Sequence, residues 1–183
     1  SPIYCDNRKT LSYPAIRTYI KNSLVRTIMD IYPDVEVIAG VATGAIAQGT
    51  LVAAELGLPF IYVRSSPKDH GLENMIEGDL KPKQKVVVIE DLISTGGSSL
   101  KAVEAIRKDG SEVLGMVAIF TYGFQAAEDK FKNANVKLTT LSNYDAVLTE
   151  ALATNYIDNL DLDTLREWRM NPSAWKKFEN FTT

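Results

Sequence analysis

Residues 86–100 read V-V-V-I-E-D-L-I-S-T-G-G-S-S-L, and this segment decides the fold class. Its four consecutive apolar residues are typical of a strand buried on both faces, as in the centre of a parallel sheet. Two acids and a turn of small residues follow, and apolar residues then recur at helical spacing through residues 98–108. The inward side of this helix is predicted to carry Leu100, Val103 and Ile106. A buried strand that turns directly into a helix is typical of an α/β protein.

The rest of the chain repeats this alternation of short apolar runs and longer amphipathic segments. Further strands are predicted at residues 35–41, 60–63, 113–120 and 136–141. Helices are predicted at residues 15–31, between Gly44 and Gly57, at residues 126–132, and over residues 146–178 with a break at Asn171 and Pro172. The helix at residues 15–31 places apolar side chains at three- and four-residue spacings: Ile16, Tyr19, Ile20, Leu24, Ile28 and Ile31. We therefore expect one domain over residues 1–183, with a central, mostly parallel sheet flanked by helices and a helical tail over residues 146–183.

Composition and charge narrow the class of protein. Hydrophobic residues make up 45% and charged residues 23% of the 183 residues, as in ordinary globular domains. The formal net charge of -3 argues against a nucleic-acid-binding surface. Cys5 is the only cysteine, so no intrachain disulfide can form, and a reducing cytoplasm is the expected compartment. No apolar run is long enough to span a membrane and no signal peptide opens the chain, so we expect no membrane partner.

The turn at residues 94–99 has the composition of a phosphate site. Gly96 and Gly97 allow positive φ angles and a close approach of the backbone to a ligand. Ser94, Thr95, Ser98 and Ser99 offer hydroxyl groups, and the N-terminus of the following helix offers unpaired N–H groups with a positive dipole end. Such a turn suits a phosphate monoester. It lacks both the Gly-Lys-Ser/Thr end of a P-loop and the G-x-G-x-x-G pattern of dinucleotide-binding turns.

The two acids before the turn, Glu90 and Asp91, do not suit a phosphate. They suit the vicinal hydroxyls of a ribose, or a Mg²⁺ ion that keeps part of its water shell. Taken alone, two acids after a strand are more often solvated residues beside a helix cap. Together with the strand, the turn and the helix, they favour a sugar-phosphate site.

The segment 86–98 resembles the phosphoribosyl pyrophosphate motif of the type I phosphoribosyltransferases, which has four hydrophobic residues, two acids and a Thr/Ser-Gly loop. Residues 62–64, with Lys68, His70 and Gly71, resemble the mobile catalytic loop of the orotate phosphoribosyltransferases. The opening residues 1–4, with Asp6 and Arg8, are similar to their orotate-side segment. Residues 40–44 fall where the family has a pyrophosphate-side loop, and residues 167–169 and 171–172 are similar to Gram-positive-type members.

The resemblance implies the type I phosphoribosyltransferase fold with a mobile catalytic loop, and transfer of ribose 5-phosphate from phosphoribosyl pyrophosphate to orotate. The products are orotidine 5′-monophosphate and pyrophosphate, in UMP biosynthesis. It also implies dependence on Mg²⁺, bound mainly through the substrate with Glu90 and Asp91 nearby, and a homodimer in which loop residues reach the partner's site. The catalytic residues it implies are Lys68, His70 and Asp91, and Ser94 would also contact orotate. The residues it implies for phosphoribosyl pyrophosphate are Arg64, Lys68, His70, Glu90, Asp91, Leu92, Ile93, Ser94, Thr95, Gly96, Gly97 and Ser98.

The connection at residues 64–80 supports this reading independently of the resemblance. It is polar, contains glycine and lacks apolar periodicity, and connections this long are usually functional. Arg64, Lys68 and His70, the only histidine, place three basic side chains within seven residues. Catalysis with a highly charged leaving group needs cations where its charge develops. We therefore expect this loop to contact the diphosphate and to close over the substrate.

Several positions depart from the family pattern. Ser65 follows the loop arginine where many members have a second basic residue, and Thr43 and Gly44 stand where some have a Tyr-Lys pair. Residues 120–123 read F-T-Y-G where some members place an arginine near orotate. The sequence opens at Ser1, without the family's N-terminal helix, so we expect an incomplete base pocket.

Three alternatives remain open at the level of sequence. The first is the same reaction with another base, such as adenine or hypoxanthine, which the Arg-x-x-x-Lys-x-His-Gly pattern of the loop disfavours. The second is a regulator that senses phosphoribosyl pyrophosphate while binding nucleic acid, which the acidic charge disfavours. The third is a flavodoxin-like interaction domain, which leaves the cations of the long loop unexplained. Trp168 and Trp175 are expected to be packing residues rather than ligand stackers.

Overall fold

The computed structural model describes residues 4–64, 66 and 75–172, and these form an α/β structure around one six-stranded sheet. The strands are β1 (Val37–Val41), β2 (Phe60–Val63), β3 (Ile76–Glu77), β4 (Lys85–Ile93), β5 (Glu112–Thr121) and β6 (Leu138–Asn143). Their order in the sheet is β3-β2-β1-β4-β5-β6, and every neighbouring pair is parallel except β2 with β3. The predicted mostly parallel sheet is therefore confirmed.

Helices cover both faces of the sheet. They are α1 (Pro14–Ile31), α2 (Ile46–Leu56), α3 (Gly97–Lys108), α4 (Gln125–Asn133), α5 (Tyr144–Ala153) and α6 (Asn159–Met170), with a short 3₁₀ helix at Asn7–Ser12. One core layer joins α1 and α2 to the side chains of Ile38, Val87 and Ile89. The other joins α3 and α4 to the opposite face, through Val88 and Met116 among others. This arrangement satisfies the expectation that a parallel sheet is buried on both sides.

The inward side of α3 is confirmed, whereas that of α1 is only partly as predicted. Ile20, Leu24 and Ile28 are buried, but Ile16 is 47% exposed and Tyr19 is 74% exposed. Both exposed residues lie in the first turns of α1, and the buried residues that pack against the sheet come later in the helix. Apolar spacing identified the helix but overestimated the length of its packed stripe.

Three elements differ from the sequence-based expectation by more than two residues. β4 continues through both acids to Ile93, because β5 pairs with it as far as Ile93↔Thr121. Ile76 and Glu77, expected within an unstructured connection, form β3 by antiparallel pairing with β2. The expected continuous helix after residue 146 is broken between Ala153 and Asn159, rather than first at Asn171.

A third cluster of buried residues lies where α5 and α6 pack beside the ends of β4 and β5. Its members include Phe120, Tyr122, Tyr144, Leu148, Leu162 and Trp168. Trp168 is 2% exposed, which confirms its predicted role in packing, while Trp175 lies outside the described residues. Among the helices described, none combines the length and apolar character needed to cross a membrane.

Candidate active site

The candidate site lies at the carboxyl edge of the sheet, where the chain order reverses. β2 lies on one side of β1 and β4 on the other, so the connections after β1 and β4 diverge to opposite faces. In open α/β sheets, ligands bind in the crevice outside such a switch point. The loop at residues 42–45, which contains a cis peptide between Ala42 and Thr43, and the turn after β4 border this crevice.

Glu90 is a buried acid with a defined hydrogen-bond environment. Glu90 is only 5% exposed, and Ser99 Oγ donates to Glu90 Oε2 at 2.8 Å. The backbone N–H of Asp91 donates to Glu90 Oε1 at 3.0 Å. Burial, followed by hydrogen bonding with the neighbouring Asp91, raises the pKa of Glu90 to about 8. The folded chain therefore favours the protonated form of this carboxyl more than water does.

Asp91 has different surroundings, because it is half-buried and lies against the loop after β1. A Cβ added to Gly44 would lie 2.1 Å from Asp91 Oδ2, so only glycine leaves room for this carboxylate. Asn7 Nδ2 donates to the backbone oxygen of Asp91 at 2.7 Å, which ties the N-terminal segment to β4. Asp91 is thus the more accessible of the two acids.

The turn after β4 has a backbone geometry that would accommodate an anion. Gly96 has a φ of 73°, and a Cβ there would lie 2.9 Å from the Phe131 ring. Helix α3 begins at Gly97, and its N-cap residue is Gly96, which has no side chain to occupy the first N–H groups. Thr95 and Ser98 are exposed, so their hydroxyls face solvent at the N-terminus of the helix. These features fit a phosphate group, because unpaired N–H groups and the helix dipole both favour an anion.

Two other residues predicted for phosphoribosyl pyrophosphate contribute differently. Leu92 lies beside the cavity described below, whereas the side chain of Ile93 is fully buried in the core. The backbone oxygen of Ile93 accepts the N–H of Tyr122 at 3.1 Å. Ile93 therefore anchors the turn rather than presenting a side chain to a ligand.

Arg64 is the one residue of the predicted cation cluster that the structure describes. It follows β2 directly, and its backbone N–H donates to Met75 O at 2.8 Å. Its Nη1 lies 3.6 Å from Glu77 Oε1 on β3. Since β2 is parallel to β1, Arg64 is at the same edge of the sheet as the phosphate turn. Lys68 and His70 lie outside the described residues.

A mostly apolar cavity of about 910 Å³ adjoins the phosphate turn. Ser94 and Thr95 line it on the side of the turn, and Arg169 lines it from the last turn of α6. The aromatic side chains in its wall are those of Tyr4, Tyr122, Phe124 and Trp168. The Tyr122 and Phe124 rings are stacked with centroids 5.4 Å apart. The cavity has the flat aromatic walls and few polar groups that suit a planar heterocycle.

The N-terminal segment closes part of this cavity. The backbone N–H of Cys5 donates to the Tyr122 hydroxyl at 3.0 Å, and Arg8 Nη2 donates to the Tyr4 hydroxyl at 3.2 Å. Arg8 Nε also donates to Asp6 Oδ1 at 3.0 Å. These contacts join Tyr4 and Cys5 to the cavity wall, while residues 1–3 of the predicted orotate-side segment lie outside the described residues.

Several residues at the site were not singled out from the sequence. Gly44 was noted only as a departure, and Ser99 was noted only as one of several hydroxyls, although both contact the acids. Tyr122 stands at the end of an apolar strand, and that position is the signal that could have identified it. Arg169 lies in the stretch 167–169 that resembles family members, but its position at the end of β5 depends on tertiary packing.

Comparison with known proteins identifies the class. The family model of the phosphoribosyl transferase domain matches residues 10–152, which include both β1 and the whole segment from β4 to α3. The chain therefore belongs to the phosphoribosyltransferase family.

Within that family, it belongs with the orotate phosphoribosyltransferases. It is 68% identical over 175 residues to an orotate phosphoribosyltransferase of Porphyromonas gingivalis, and the alignment covers 96% of this chain and 83% of the relative. Among solved structures, the orotate phosphoribosyltransferase of Aeropyrum pernix superposes with a TM-score of 0.75 at 28% identity, covering 82% of this chain and 84% of that one. The UMP synthase of Leishmania donovani superposes with a TM-score of 0.78 at 25% identity. That alignment covers 93% of this chain and 36% of the longer Leishmania chain.

Proposed function

We propose that this chain transfers ribose 5-phosphate from phosphoribosyl pyrophosphate to orotate, giving orotidine 5′-monophosphate and pyrophosphate. One structural observation carries the proposal: Ser94 and Thr95 belong both to the phosphate turn and to the wall of the aromatic cavity. A sugar phosphate held in the turn would therefore lie beside a planar base held in the cavity. The high identity to orotate phosphoribosyltransferases supports orotate as that base.

In the proposed reaction, N1 of orotate attacks the anomeric carbon of the ribose as the bond to pyrophosphate breaks. The turn at residues 94–98 holds the 5-phosphate through its N–H groups and hydroxyls, and Asp91 holds the ribose hydroxyls. Arg64, Lys68 and His70 stabilise the negative charge that grows on the leaving diphosphate. Because orotate N1 can react as an anion, no strong base is required, and alignment of the two substrates supplies much of the rate.

The acids present fit a Mg²⁺ ion that is bound mainly through the substrate. Within the described residues, no group of three or more potential ligands could hold a metal ion. Asp91 offers hard oxygen ligands at the crevice, whereas Glu90 is buried and hydrogen-bonded to Ser99. When bound, Mg²⁺ would neutralise charge on the diphosphate, and Asp91 is the described residue best placed to contact it.

We further propose a cytoplasmic homodimer in which Lys68 and His70 act in the site of the neighbouring subunit. The family resemblance of the loop supports this arrangement. The single cysteine and the acidic net charge of -3 are in keeping with that compartment and with no nucleic-acid partner.

The test is a spectrophotometric assay of orotate consumption with phosphoribosyl pyrophosphate and Mg²⁺, on the wild-type protein and on Lys68→Ala. The variant is expected to lose roughly 10²–10³-fold in kcat, the usual cost of removing one group that stabilises transition-state charge. Lys132→Ala is the matched control, because Lys132 is exposed on α4. Turnover of a purine but not of orotate would contradict orotate as the base and favour a purine. Tight phosphoribosyl pyrophosphate binding without turnover of any base would contradict the proposed activity and favour the regulator.

A further inference from the structure

We propose that Arg169 binds the carboxylate of the pyrimidine base and so makes the enzyme selective for an anionic base. The inference rests on the proposed function, because it assigns a residue to the base that the aromatic cavity receives. It begins from the charge of the cavity: among the described residues that line it, Arg169 is the only charged one. A carboxylate moved from water into such surroundings loses much of its hydration, and the loss must be offset by a cation or by hydrogen-bond donors.

Arg169 is held at the end of β5 by contacts on two sides. Its Nη1 donates to Asp145 Oδ1 at 2.6 Å, and its Nη2 lies 3.5 Å from the backbone oxygen of Gly123. The guanidinium carbon also lies 5.8 Å from the centre of the Tyr144 ring. Two of these contacts come from α5 and one from the segment after β5, so the guanidinium is positioned before any ligand arrives.

Gly123 provides the space that this guanidinium uses. A Cβ at Gly123 would lie 2.8 Å from Arg169 Nη2, and Gly123 also has a φ of 65°, which disfavours other residues. The side chain of Arg169 therefore occupies the region that a side chain at position 123 would otherwise fill. Residues 120–123, at the end of β5, read F-T-Y-G and include no basic residue. Arg169 therefore brings a cation to this end of β5 from a distant part of the chain.

The ion pair with Asp145 leaves Arg169 able to bind a second carboxylate. Arginine has five N–H donors arranged in a planar fork, and the contacts above use one from each of two nitrogens. The Asp145 side chain is 67% exposed, so water screens its attraction for Arg169. A base carboxylate inside the apolar cavity would be less screened and could accept two parallel hydrogen bonds.

The experiment measures selectivity between orotate and uracil, which is the same ring without the carboxylate. Wild type, Arg169→Gln and Arg169→Leu are compared by kcat/KM for each base and by KM for phosphoribosyl pyrophosphate. We expect kcat/KM for orotate to fall about 10- to 100-fold, the usual effect of losing a hydrogen bond to a charged group. The kcat/KM for uracil and the KM for phosphoribosyl pyrophosphate are expected to change little. Arg169→Lys, which restores the charge without the fork, should recover part of the loss.

Arg166→Gln is the matched control, because Arg166 is exposed on the same helix and lines a different cavity. It should keep the wild-type ratio of orotate to uracil. If the Arg169 variants lost activity equally with both bases, the orotate-to-uracil ratio would be unchanged. That result would assign Arg169 a structural role and overturn the inference. Two substitutions are used so that whichever protein folds, as judged by circular dichroism, carries the test. If wild type itself does not use orotate, the proposed function fails first, and that result is distinct from an unchanged ratio.

Discussion

Glu90 and Asp91 are adjacent in sequence, but the structure gives them different surroundings. Glu90 is buried and receives hydrogen bonds from Ser99 and from the Asp91 backbone. Asp91 lies half-buried at the crevice, in the space that Gly44 leaves. A buried carboxyl held by fixed donors is suited to positioning the strand end, whereas the accessible carboxylate is suited to binding hydroxyls or a cation.

The raised pKa of Glu90 predicts how stability changes with pH. Burial raises the pKa of Glu90 from its ordinary value of 4.5 to about 8 in the folded chain. The folded state therefore binds this proton more tightly than the unfolded state. The stability due to neutral Glu90 is therefore full below pH 4.5 and is lost as pH rises to about 8. Glu90→Gln cannot ionise, so we expect its stability relative to wild type to increase across this window, by on the order of a few kcal/mol.

Urea unfolding of both proteins from about pH 4 to about pH 9, a range that spans the unfolded and folded pKa values of Glu90, measures this difference by far-UV circular dichroism. Glu104→Gln, at an exposed position on α3, controls for the loss of one carboxylate. A difference between Glu90→Gln and wild type that does not vary with pH would contradict the assigned protonation of Glu90.

At the residue scale, the sequence predicted the phosphate turn because its chemistry is local. Glycines, hydroxyl residues and a helix start are adjacent in the chain, so their positions follow from one strand and one turn. Asn7 and Gly44 could not be assigned their contacts with Asp91, since these join segments far apart in sequence. The roles predicted for Lys68 and His70 remain predictions.

Helix α6 contributes both to the third cluster of buried residues and to the wall of the aromatic cavity. Trp168 is 2% exposed and its ring lies 5.5 Å from Tyr122 and 5.6 Å from Tyr144, between centroids. The next residue, Arg169, reaches the cavity. Packing of Trp168 therefore fixes the position of the proposed carboxylate-binding group.

Truncation of Trp168 is expected to loosen α6. Trp168→Ala should lower the free energy of unfolding by about 3–5 kcal/mol, the usual cost of deleting a large aromatic core side chain, and Trp168→Phe should cost less. Urea unfolding monitored by circular dichroism measures both variants. Tyr156→Ala, at a residue that is 86% exposed, should change stability by less than about 0.5 kcal/mol. If Trp168→Ala were as stable as Tyr156→Ala, α6 would not depend on this ring.

Element boundaries show which interactions the sequence pattern could not contain. β3 exists because Ile76 and Glu77 pair with β2, and β4 is longer than its apolar run because β5 supplies partners. Both extensions depend on neighbouring strands rather than on local propensity. The break before α6 did have a local signal in the sequence, the capping box between Asp158 and Asp161.

At the scale of the whole molecule, the sheet brings together parts of the site that the chain keeps apart. Parallel strands place the ends of β1, β2 and β4 at one edge, so Gly44, Arg64 and Asp91 converge there. The alternation of strands and helices predicted the mostly parallel sheet, but the order of its strands, which brings these residues to one edge, is visible only in the structure. The number of chains that complete the site is a property of the assembly, and the proposal that Lys68 and His70 act across a dimer interface must be tested on the assembly.

Hybrid dimers provide that test. Lys68→Ala and Asp91→Asn are each expected to be nearly inactive, but a hybrid dimer of the two contains one site with both wild-type residues if the loop acts across the interface. Random mixing by coexpression gives about half hybrids with one intact site of two, so activity should return to about one quarter of wild type. If the loop acted within its own subunit, every site would carry one defect and mixing would restore nothing. As a control, two differently tagged copies of Lys68→Ala are coexpressed, and this mixture should stay inactive. If the wild-type protein were a monomer in size-exclusion chromatography, a site shared between subunits would be refuted.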